Sequence, residues 1–200
     1  MRKGTQTKQQ ILSTALQLAT ASSLNDLTIG SLAIATGMSK SGLFAHFNSK
    51  ENLQLAVLEH AQQVFRSIVS EPVRDISDPL TRLLAVCDNW LDWYEHQAKT
   101  CIYISAAVEF DDQPGAVHDK VQQDLAMWLK FLTKCVEAVI AGGQFKQGTD
   151  AQQFVFELYS LYLGSQSMPW LGLEDANHSR FKQALQNLIE RYRGGVSHEQ

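Results

Sequence analysis

Residues 37–53, GMSKSGLFAHFNSKENL, decide how the N-terminal part of the chain folds. Gly37 can adopt the positive φ that ends a helix, and Ser39 is of the residue type that caps the next one. Leu43 and Phe47 are spaced i and i+4, so both lie on one side of that next helix. The stretch therefore predicts a tight glycine turn followed by a short helix with one buried face.

The flanking residues predict further helices on both sides of this turn. Apolar residues recur with helical spacing from about 5 to 22, and Thr28 is placed to cap a second helix over about 28–36. In SSLND, between these helices, Asn25 is the residue best able to adopt a positive φ. Ser49 caps a fourth helix. Three short helices, with a tight turn between the second and third, predict a helix-turn-helix.

Charge is unevenly distributed along the 200 residues, whose formal net charge is −4. Residues 1–50 contain five basic residues and one acidic residue, a charge of +4. Residues 51–200 contain 12 basic and 20 acidic residues, a charge of −8. This asymmetry points to a polyanionic partner for the first fifty residues.

The rest of the chain also has helical periodicity, and no alternating pattern typical of a strand is present. We expect an all-α fold of about nine helices. The predicted domains are a helix-turn-helix domain at 1–50 and a larger helical domain at 51–200, linked by the fourth helix from about 49. In the larger domain, QFVFELYSLYLGSQ is apolar on nearly all faces, which predicts that it is covered on more than one side.

The segment LTIGSLAIATGMSKSGLFAHFNSKENL, residues 27–53, resembles the DNA-binding signature of the TetR family of one-component bacterial transcription regulators. The residues in register are Leu27, Thr28, Ile29, Leu32, Ala33, Ala35, Gly37, Met38, Ser39, Lys40, Leu43, Phe44, His46, Phe47, Ser49, Lys50, Glu51 and Leu53. With the first helix, the resemblance covers roughly 5–55. It implies a homodimer with two recognition helices in successive major grooves of a near-palindromic, double-stranded operator. It also implies a body that binds a small effector, and repression is the commoner activity of the family.

The resemblance assigns DNA contacts to one set of residues in the helix-turn-helix region. They are Thr28, Ser39, Lys40, Ser41, Gly42, Phe44, His46 and Lys50. Lys40 and Ser41 are candidates for base edges, whereas His46, Thr28 and Lys50 are candidates for phosphates. Solvated surface lysines are the plainer alternative for Lys40 and Lys50. Phe44 stands where the family usually has a tyrosine that reaches a phosphate, a loss on the order of 1 kcal/mol; alternatively, Phe44 belongs to the core.

Aromatic residues are frequent in the body and predict an effector pocket with apolar walls, although aromatic residues at helical spacing are also typical of a core. The candidates are Trp90, Trp93, Tyr94, Cys101, Tyr103, Ala107, Trp128, Phe131, Tyr159 and Tyr162. Such a lining fits aromatic or acyl compounds.

The last two helices predict a dimer interface in the form of a four-helix bundle, two helices from each subunit. The candidate residues are Phe154, Leu158, Leu161, Tyr162, Phe181, Leu185, Leu188 and Tyr192. The alternative is that both helices only complete the core of one chain.

An acid-rich segment follows the predicted effector region. It contains Glu109, Asp111, Asp112, His118 and Asp119. A Pro-Gly break and a helix start explain these charges without a metal, and Cys87, Cys101 and Cys135 are too far apart for a disulfide framework or a metal-binding cluster. We predict neither a metal nor a cofactor.

These features together predict a cytoplasmic DNA-binding transcription regulator, most simply a repressor released by a small, partly apolar effector. No apolar run approaches the ~20 residues that span a bilayer. The alternative is a helical small-molecule-binding or enzymatic protein whose head no longer binds DNA. The sequence has no Ser-His-Asp pattern, phosphate-binding glycine loop or HExxH motif, so we do not predict an enzyme.

Overall fold

The computed structural model describes residues 3–95, 97, 100–173 and 178–194, without the side chains of 3–7 and 95. These residues form α-helices and no β-strand, which confirms the predicted all-α class. The helices are α1 (Lys3–Ala21), α2 (Ile29–Thr36), α3 (Lys40–Phe47), α4 (Lys50–Phe65), α5 (Pro79–Glu95), α6 (Ile102–Glu109), α7 (Ala116–Ala141), α8 (Ala151–Ser167) and α9 (Ser179–Tyr192). Among the described residues, none of these helices is both long and apolar enough to cross a membrane.

The chain divides into two compact units. Unit 1 comprises the described residues within 1–72 and 92–126, and unit 2 comprises those within 73–91 and 127–200. Helices α5 and α7 each contribute residues to both units. This division does not follow the predicted boundary near residue 50, because α4 packs closely against α1. The assignment of separate domains to 1–50 and 51–200 stays a prediction.

The helix starts in the N-terminal region are fixed by short side-chain caps. Thr28 Oγ1 accepts the N–H of Ser31 at 3.0 Å, and Ser31 Oγ accepts the N–H of Thr28 at 3.0 Å. Ser39 Oγ accepts the N–H of Gly42 at 3.1 Å at the start of α3. Each cap satisfies a backbone donor that the helix itself leaves unpaired. The predicted caps at Thr28 and Ser39 are confirmed.

Two further predicted helix-terminal residues also take their expected roles. Ser49 Oγ accepts the N–H of Asn52 at 3.0 Å at the start of α4. Gly37 ends α2 with a φ of +67°, a conformation that costs glycine little. The turn between α2 and α3 therefore has the geometry that its sequence predicts.

Apolar stripes of the first four helices meet in the core of unit 1. The buried residues of this core include Ile11, Leu12, Ala15, Leu16, Ala19, Leu32, Ala33, Leu43, Phe47, Leu53, Val57, Leu58 and Ala61. The inward orientation that the i, i+4 spacing predicts for Leu43 and Phe47 is therefore confirmed.

The α1–α2 turn differs from its prediction. Asn25 does not adopt a positive φ; among the described residues, Asn48 and His178 are the non-glycine residues that do. In the α1–α2 turn, the N–H of Leu27 instead donates to the carbonyl of Leu24 at 3.3 Å. Asn48 ends α3 at a φ of +63°, and its N–H donates to the carbonyl of Phe44 at 2.7 Å. The left-handed asparagine therefore lies in the α3–α4 turn and not in the α1–α2 turn, where it was predicted.

Helix α4 also ends earlier than its apolar stripe predicts. The apolar residues Leu53, Val57, Ala61, Val64 and Ile68 recur at helical spacing, but the α-helix ends at Phe65 and a π-helical turn, Arg66–Ser70, follows. The buried residues Ala61, Phe65 and Val69 follow one another at a spacing of four, so the buried face passes through Phe65 and Val69 and not through Val64 and Ile68.

In unit 2, α8 and α9 pack against each other through their apolar stripes. Of the predicted dimer-interface residues, most are buried within one chain: Phe154, Leu158, Tyr162, Phe181, Leu185 and Leu188. These six side chains are largely covered by residues of their own chain, and their assignment to a dimer interface stays a prediction. The alternative, that the two helices complete the core of one chain, accounts for them. Leu161 and Tyr192 are only partly buried.

Candidate nucleic-acid interface

The outward face of α3 carries the side chains predicted to contact DNA. Lys40, Ser41 and His46 are exposed, and Gly42 is partly buried. Phe44 is 54% exposed, so the alternative that it belongs to the core is wrong. The exposed Phe44 side chain is available to a partner surface.

The side chain of Lys40 lies against the first turn of α2. A Cβ atom built on Gly30 would lie 3.6 Å from Lys40 Cε and 3.7 Å from Lys40 Nζ. The start of α2 carries the positive end of the helix dipole and the capping Thr28. The lysine ammonium thus adds a full charge beside a helix N-terminus, an arrangement that favours a phosphate.

The cap of α3 favours a small residue at position 42, apart from any contact that Gly42 makes with a DNA groove. A Cβ atom at this position would lie 3.1 Å from Ser39 Oγ, which caps α3 and lies 3.2 Å from Ser41 Oγ. A larger residue would therefore crowd the cap and shift the start of the recognition helix. The sequence did not reveal this second role of the glycine.

Lys50 is the first residue of α4 and is exposed to solvent. A cation at this end of a helix opposes the helix dipole. Helix α4 has its cap at Ser49 and an acid, Glu51, in its first turn. A phosphate bound beside Lys50 would offset the unfavourable interaction between the ammonium and the dipole. The starts of α2, α3 and α4 thus all carry polar or basic residues predicted to contact DNA.

An aromatic cluster lies in the core of unit 1. Phe65 packs edge-on against Trp93, with ring centroids 5.3 Å apart, and against Tyr103, with centroids 6.1 Å apart. Trp93 is fully buried, and its Nε1 has no hydrogen-bond partner in the described part of the chain. Burial raises the pKa of the Tyr103 phenol, and the nearby Asp124 raises it further. Tyr103 is therefore neutral at physiological pH.

Asp124 is a nearly buried carboxylate on α7, with 6% of its surface exposed. Its Oδ1 accepts hydrogen bonds from Lys120 Nζ at 2.6 Å and from Gln62 Nε2 at 2.8 Å. Its Oδ2 has no hydrogen-bond partner among the described residues. Burial raises the pKa of Asp124, although Lys120 opposes the shift. The sequence did not mark Asp124 as a site residue, because its Gln62 partner lies on a distant helix.

A second aromatic cluster lies in unit 2. Trp90 stacks on Tyr162 with ring centroids 3.8 Å apart and lies edge-on to Trp128 with centroids 4.9 Å apart. Phe131 stacks on Trp128, and Tyr159 is parallel to Trp90. The predicted effector residues thus divide between the units. Unit 1 holds Trp93, Tyr94, Cys101, Tyr103 and Ala107, and unit 2 holds Trp90, Trp128, Phe131, Tyr159 and Tyr162.

An open polar groove of about 450 Å³ lies in unit 1. Its lining includes Lys8, His46, Asn52, Glu59, Gln62 and Lys120. None of the predicted effector residues lines it, and its mixed charges do not match an apolar ligand. This groove is therefore distinct from the aromatic cluster of unit 1.

The acid-rich segment and the three cysteines were the other residues considered for metal binding. Glu109 accepts hydrogen bonds from the α1–α2 turn, and His118 lies 3.0 Å from Asp119. Within the described residues, no three His, Cys, Asp or Glu side chains are grouped closely enough to hold a metal ion.

Cys87, Cys101 and Cys135 are buried thiols. Burial raises the pKa of Cys87 and of Cys135, which disfavours their reactive thiolate forms.

Comparisons with known proteins cover nearly the whole chain. Residues 11–57 match the family described as bacterial regulatory proteins, tetR family, and residues 79–185 match the tetracyclin repressor-like C-terminal domain. None of the curated proteins matches the sequence.

Solved structures share the fold at low sequence identity. A TetR-family transcriptional regulator from Cytophaga hutchinsonii is 20% identical, with a TM-score of 0.82 over 96% of this chain and 98% of that chain. A TetR regulator from Chloroflexus aurantiacus is 22% identical, with a TM-score of 0.81 over 95% and 96%. AibR, in complex with isovaleryl coenzyme A and operator DNA, is 20% identical, with a TM-score of 0.67 over 92% and 96%.

Proposed function

The chain belongs to the TetR family of bacterial regulatory proteins, and from that premise we propose that it is a repressor released from its operator by a small effector. In this proposal the protein acts in the cytoplasm as a homodimer on a near-palindromic DNA site. The observation that carries the proposal is the arrangement of α2, α3 and α4, whose capped starts present Thr28, Lys40 and Lys50 on one helix-turn-helix.

The chemistry of these residues indicates which of them contact phosphates and which contact bases. Lys40, which the resemblance made a candidate for a base edge, is here assigned to a backbone phosphate together with the start of α2, because its Nζ lies beside Gly30. Lys50 holds a second phosphate. Ser41 and His46 lie on the exposed face of α3, where hydroxyl and imidazole groups reach base edges or neighbouring phosphates. Phe44 contributes apolar contact at the same surface and no hydroxyl donor.

The dimer forms through the outward face of α8, with α9 beside it. Phe156 is 67% exposed on this face, and Ser160 lies one turn further along. Nothing lies within 4 Å of a Cβ atom built on Gly164. A glycine inside a helix weakens it by about 1 kcal/mol, and small residues at 160 and 164 offset that cost by letting a partner helix approach closely. Leu161 stays an interface candidate at the border of this face.

The effector binds at the aromatic cluster of unit 1. Its apolar wall is formed by Phe65, Trp93 and Tyr103, and the buried Trp93 Nε1 supplies a hydrogen-bond donor. Asp124 Oδ2 supplies an acceptor that is also without a partner in the described residues. These groups fit a small molecule with an apolar body and one polar end, as in the acyl and aromatic compounds that the sequence indicates.

The experiment that tests the proposal is a selection of binding sites by the full-length protein from random duplex DNA. We expect enrichment of a near-palindrome whose half-sites are separated by about one helical turn. Binding of that site should survive an excess of random competitor DNA. A protein that enriches no sequence, or that binds every duplex equally, would refute the regulator and favour a ligand-binding protein with an inactive head.

A further inference from the structure

One peptide group in the α1–α2 turn is held from two sides by distant helices. The carbonyl of Leu24 accepts a hydrogen bond from Gln54 Nε2 of α4 at 2.8 Å. The N–H of Asn25, at the other end of the same peptide bond, donates to Glu109 Oε2 of α6 at 2.9 Å. All of these residues belong to unit 1. Helices α4 and α6 are thus connected through the backbone of the helix-turn-helix region.

The planarity of the peptide makes this connection rigid. The carbonyl and N–H of a trans peptide point in opposite directions within one plane, and rotation about the C–N bond is prevented. A displacement of Glu109 therefore either breaks its bond to Asn25 or tilts the whole Leu24–Asn25 plane, which also strains the bond from Gln54. Leu24 and Gln54 are buried, so water cannot easily replace the lost hydrogen bond.

Glu109 makes a second bond that closes the turn around this peptide. Its Oε2 also accepts from Ser23 Oγ at 2.9 Å, and Ser23 Oγ in turn accepts the N–H of Asp26 at 3.2 Å. Hydrogen bonds to a carboxylate are stronger than those between neutral groups. The turn contains no glycine. The Glu109 carboxylate at the end of α6 stabilises its backbone in place of the hydrogen bonds that a tighter turn would have formed within itself.

Helix α6 connects this carboxylate to the aromatic cluster. Tyr103, near the start of the helix, packs against Phe65, and Glu109 is its last residue. The segment before α6 also contacts the end of α1, since Thr100 Oγ1 donates to the carbonyl of Thr20 at 3.4 Å. Tyr103 and Glu109 belong to one continuous helix of 8 residues. A ligand that shifts the backbone of α6 at Tyr103 therefore also shifts Glu109.

We propose that Glu109 is the positioning residue that couples α6 to the DNA-binding helices, through the Leu24–Asn25 peptide. The inference rests on the proposed function and adds its route of regulation. With Glu109 in place, α2 and α3 are held in one orientation relative to α4. When an effector shifts α6, the turn is released, the orientation of α3 is no longer fixed, and operator binding weakens.

The test uses substitutions of Glu109 in the full-length protein and the operator that the wild type selects. Glu109→Ala removes both hydrogen bonds to the turn, whereas Glu109→Gln keeps an oxygen that accepts them. Asp112→Ala is the matched control, because it removes the same charge from the exposed loop that follows α6. Operator affinity is measured by fluorescence anisotropy, and hydrogen exchange is followed in peptides that cover residues 20–28.

We expect Glu109→Ala to weaken operator binding about tenfold, which corresponds to the loss of a hydrogen bond to a charged group. Exchange at Asn25 should be faster in the same variant. Glu109→Gln should restore affinity to within about threefold of the wild type, and Asp112→Ala should leave the exchange of residues 20–28 unchanged. If Glu109→Ala does not fold, Ser23→Ala removes one of the two bonds to the carboxylate and tests the same route.

Two results would overturn the coupling. One is a Glu109→Ala variant that binds the operator as tightly as Asp112→Ala does. The other is faster exchange at Asn25 without any change in operator affinity, which would leave Glu109 a structural role only. If the wild type selects no operator at all, the proposed function fails together with the coupling. In the first two cases the wild type still binds, so the failures are distinguishable.

Discussion

Phe44 is an apolar side chain that points outward from the recognition helix, with more than half of its surface exposed. Its neighbours Leu43 and Phe47 fill the core on the other side of α3. The core therefore does not need a third aromatic ring, and the position is open to a partner. What the phenylalanine lacks, compared with a tyrosine, is a hydroxyl group that donates to phosphate.

Phe44→Tyr should therefore tighten operator binding. One added hydrogen bond to a phosphate is worth about 1 kcal/mol in each subunit, or roughly a fivefold tighter interaction for each half-site. The measurement is anisotropy with the selected operator, and Phe44→Leu serves as a control that keeps apolar contact without a ring. An unchanged Kd for Phe44→Tyr would mean that the para position of this ring does not face the DNA backbone.

His60 on α4 is a second residue whose surroundings give a direct expectation. Its Nε2 lies 3.1 Å from Ser13 Oγ of α1, and burial lowers the pKa of the imidazole below its usual 6.5. The folded protein thus favours neutral His60, whereas the unfolded chain binds a proton more readily. The resulting stability is fully present above pH 6.5 and is lost as the pH falls through the lower folded pKa.

Replacing His60 should remove this part of the pH dependence. We expect the free energy of unfolding of the wild type, from urea titrations, to fall more between pH 7.5 and pH 5 than that of His60→Gln. The glutamine keeps a polar partner for Ser13 without a titrating group. Equal changes in the two proteins would show that the His60 pKa is the same in the folded and unfolded states.

At the scale of helices, local chemistry explains which features could be predicted. Thr28, Gly37, Ser39 and Ser49 act on backbone groups within three residues of themselves, so a short segment contains all the necessary information. The end of α1 is different. The support for the α1–α2 turn comes from Gln54 and Glu109, and no local pattern indicates partners so far along the chain.

Helix α8 shows a second limit on prediction from sequence. It is apolar on nearly every face, so periodicity cannot tell which face is covered by its own chain. The structure buries Phe154 and Leu158 in unit 2 and leaves Phe156 outward. The outward face is also the one that holds Gly164. Phe154 and Leu158, both predicted for the interface, therefore lie in the core of this helix pair.

Phe156→Glu should separate the proposed dimer. A carboxylate placed in a helix–helix interface must be desolvated, and we expect dimer dissociation to rise at least tenfold, an effect of about 1.4 kcal/mol or more. Analytical ultracentrifugation over a range of concentrations measures the change. Met127→Glu is the control, because it introduces the same charge at an exposed apolar residue of α7. A Phe156→Glu protein that remains a dimer would place the interface elsewhere.

At the scale of the whole molecule, the charge distribution and the family match both indicate DNA as the partner. A formal charge of +4 on residues 1–50 accompanies −8 on the remaining 150 residues, and the basic part includes the helix-turn-helix. The sequence alone was sufficient for the class of protein and for the exposed face of α3. It could not separate the two aromatic clusters or find Asp124, because those depend on how distant helices pack.

The most direct test of this account is the salt dependence of operator binding, measured by anisotropy between about 50 and about 200 mM salt. We expect tight, sequence-selective binding that weakens steeply with salt. Because each lost phosphate contact reduces the slope by about 0.9, and the double variant removes two contacts from each subunit, Lys40→Ala with Lys50→Ala should make the slope shallower by about 4 per dimer. Lys130→Ala with Lys134→Ala, which removes the same charge from α7, should behave as the wild type. Binding that ignores salt, or equal slopes for the two double variants, would contradict the proposed DNA-binding surface.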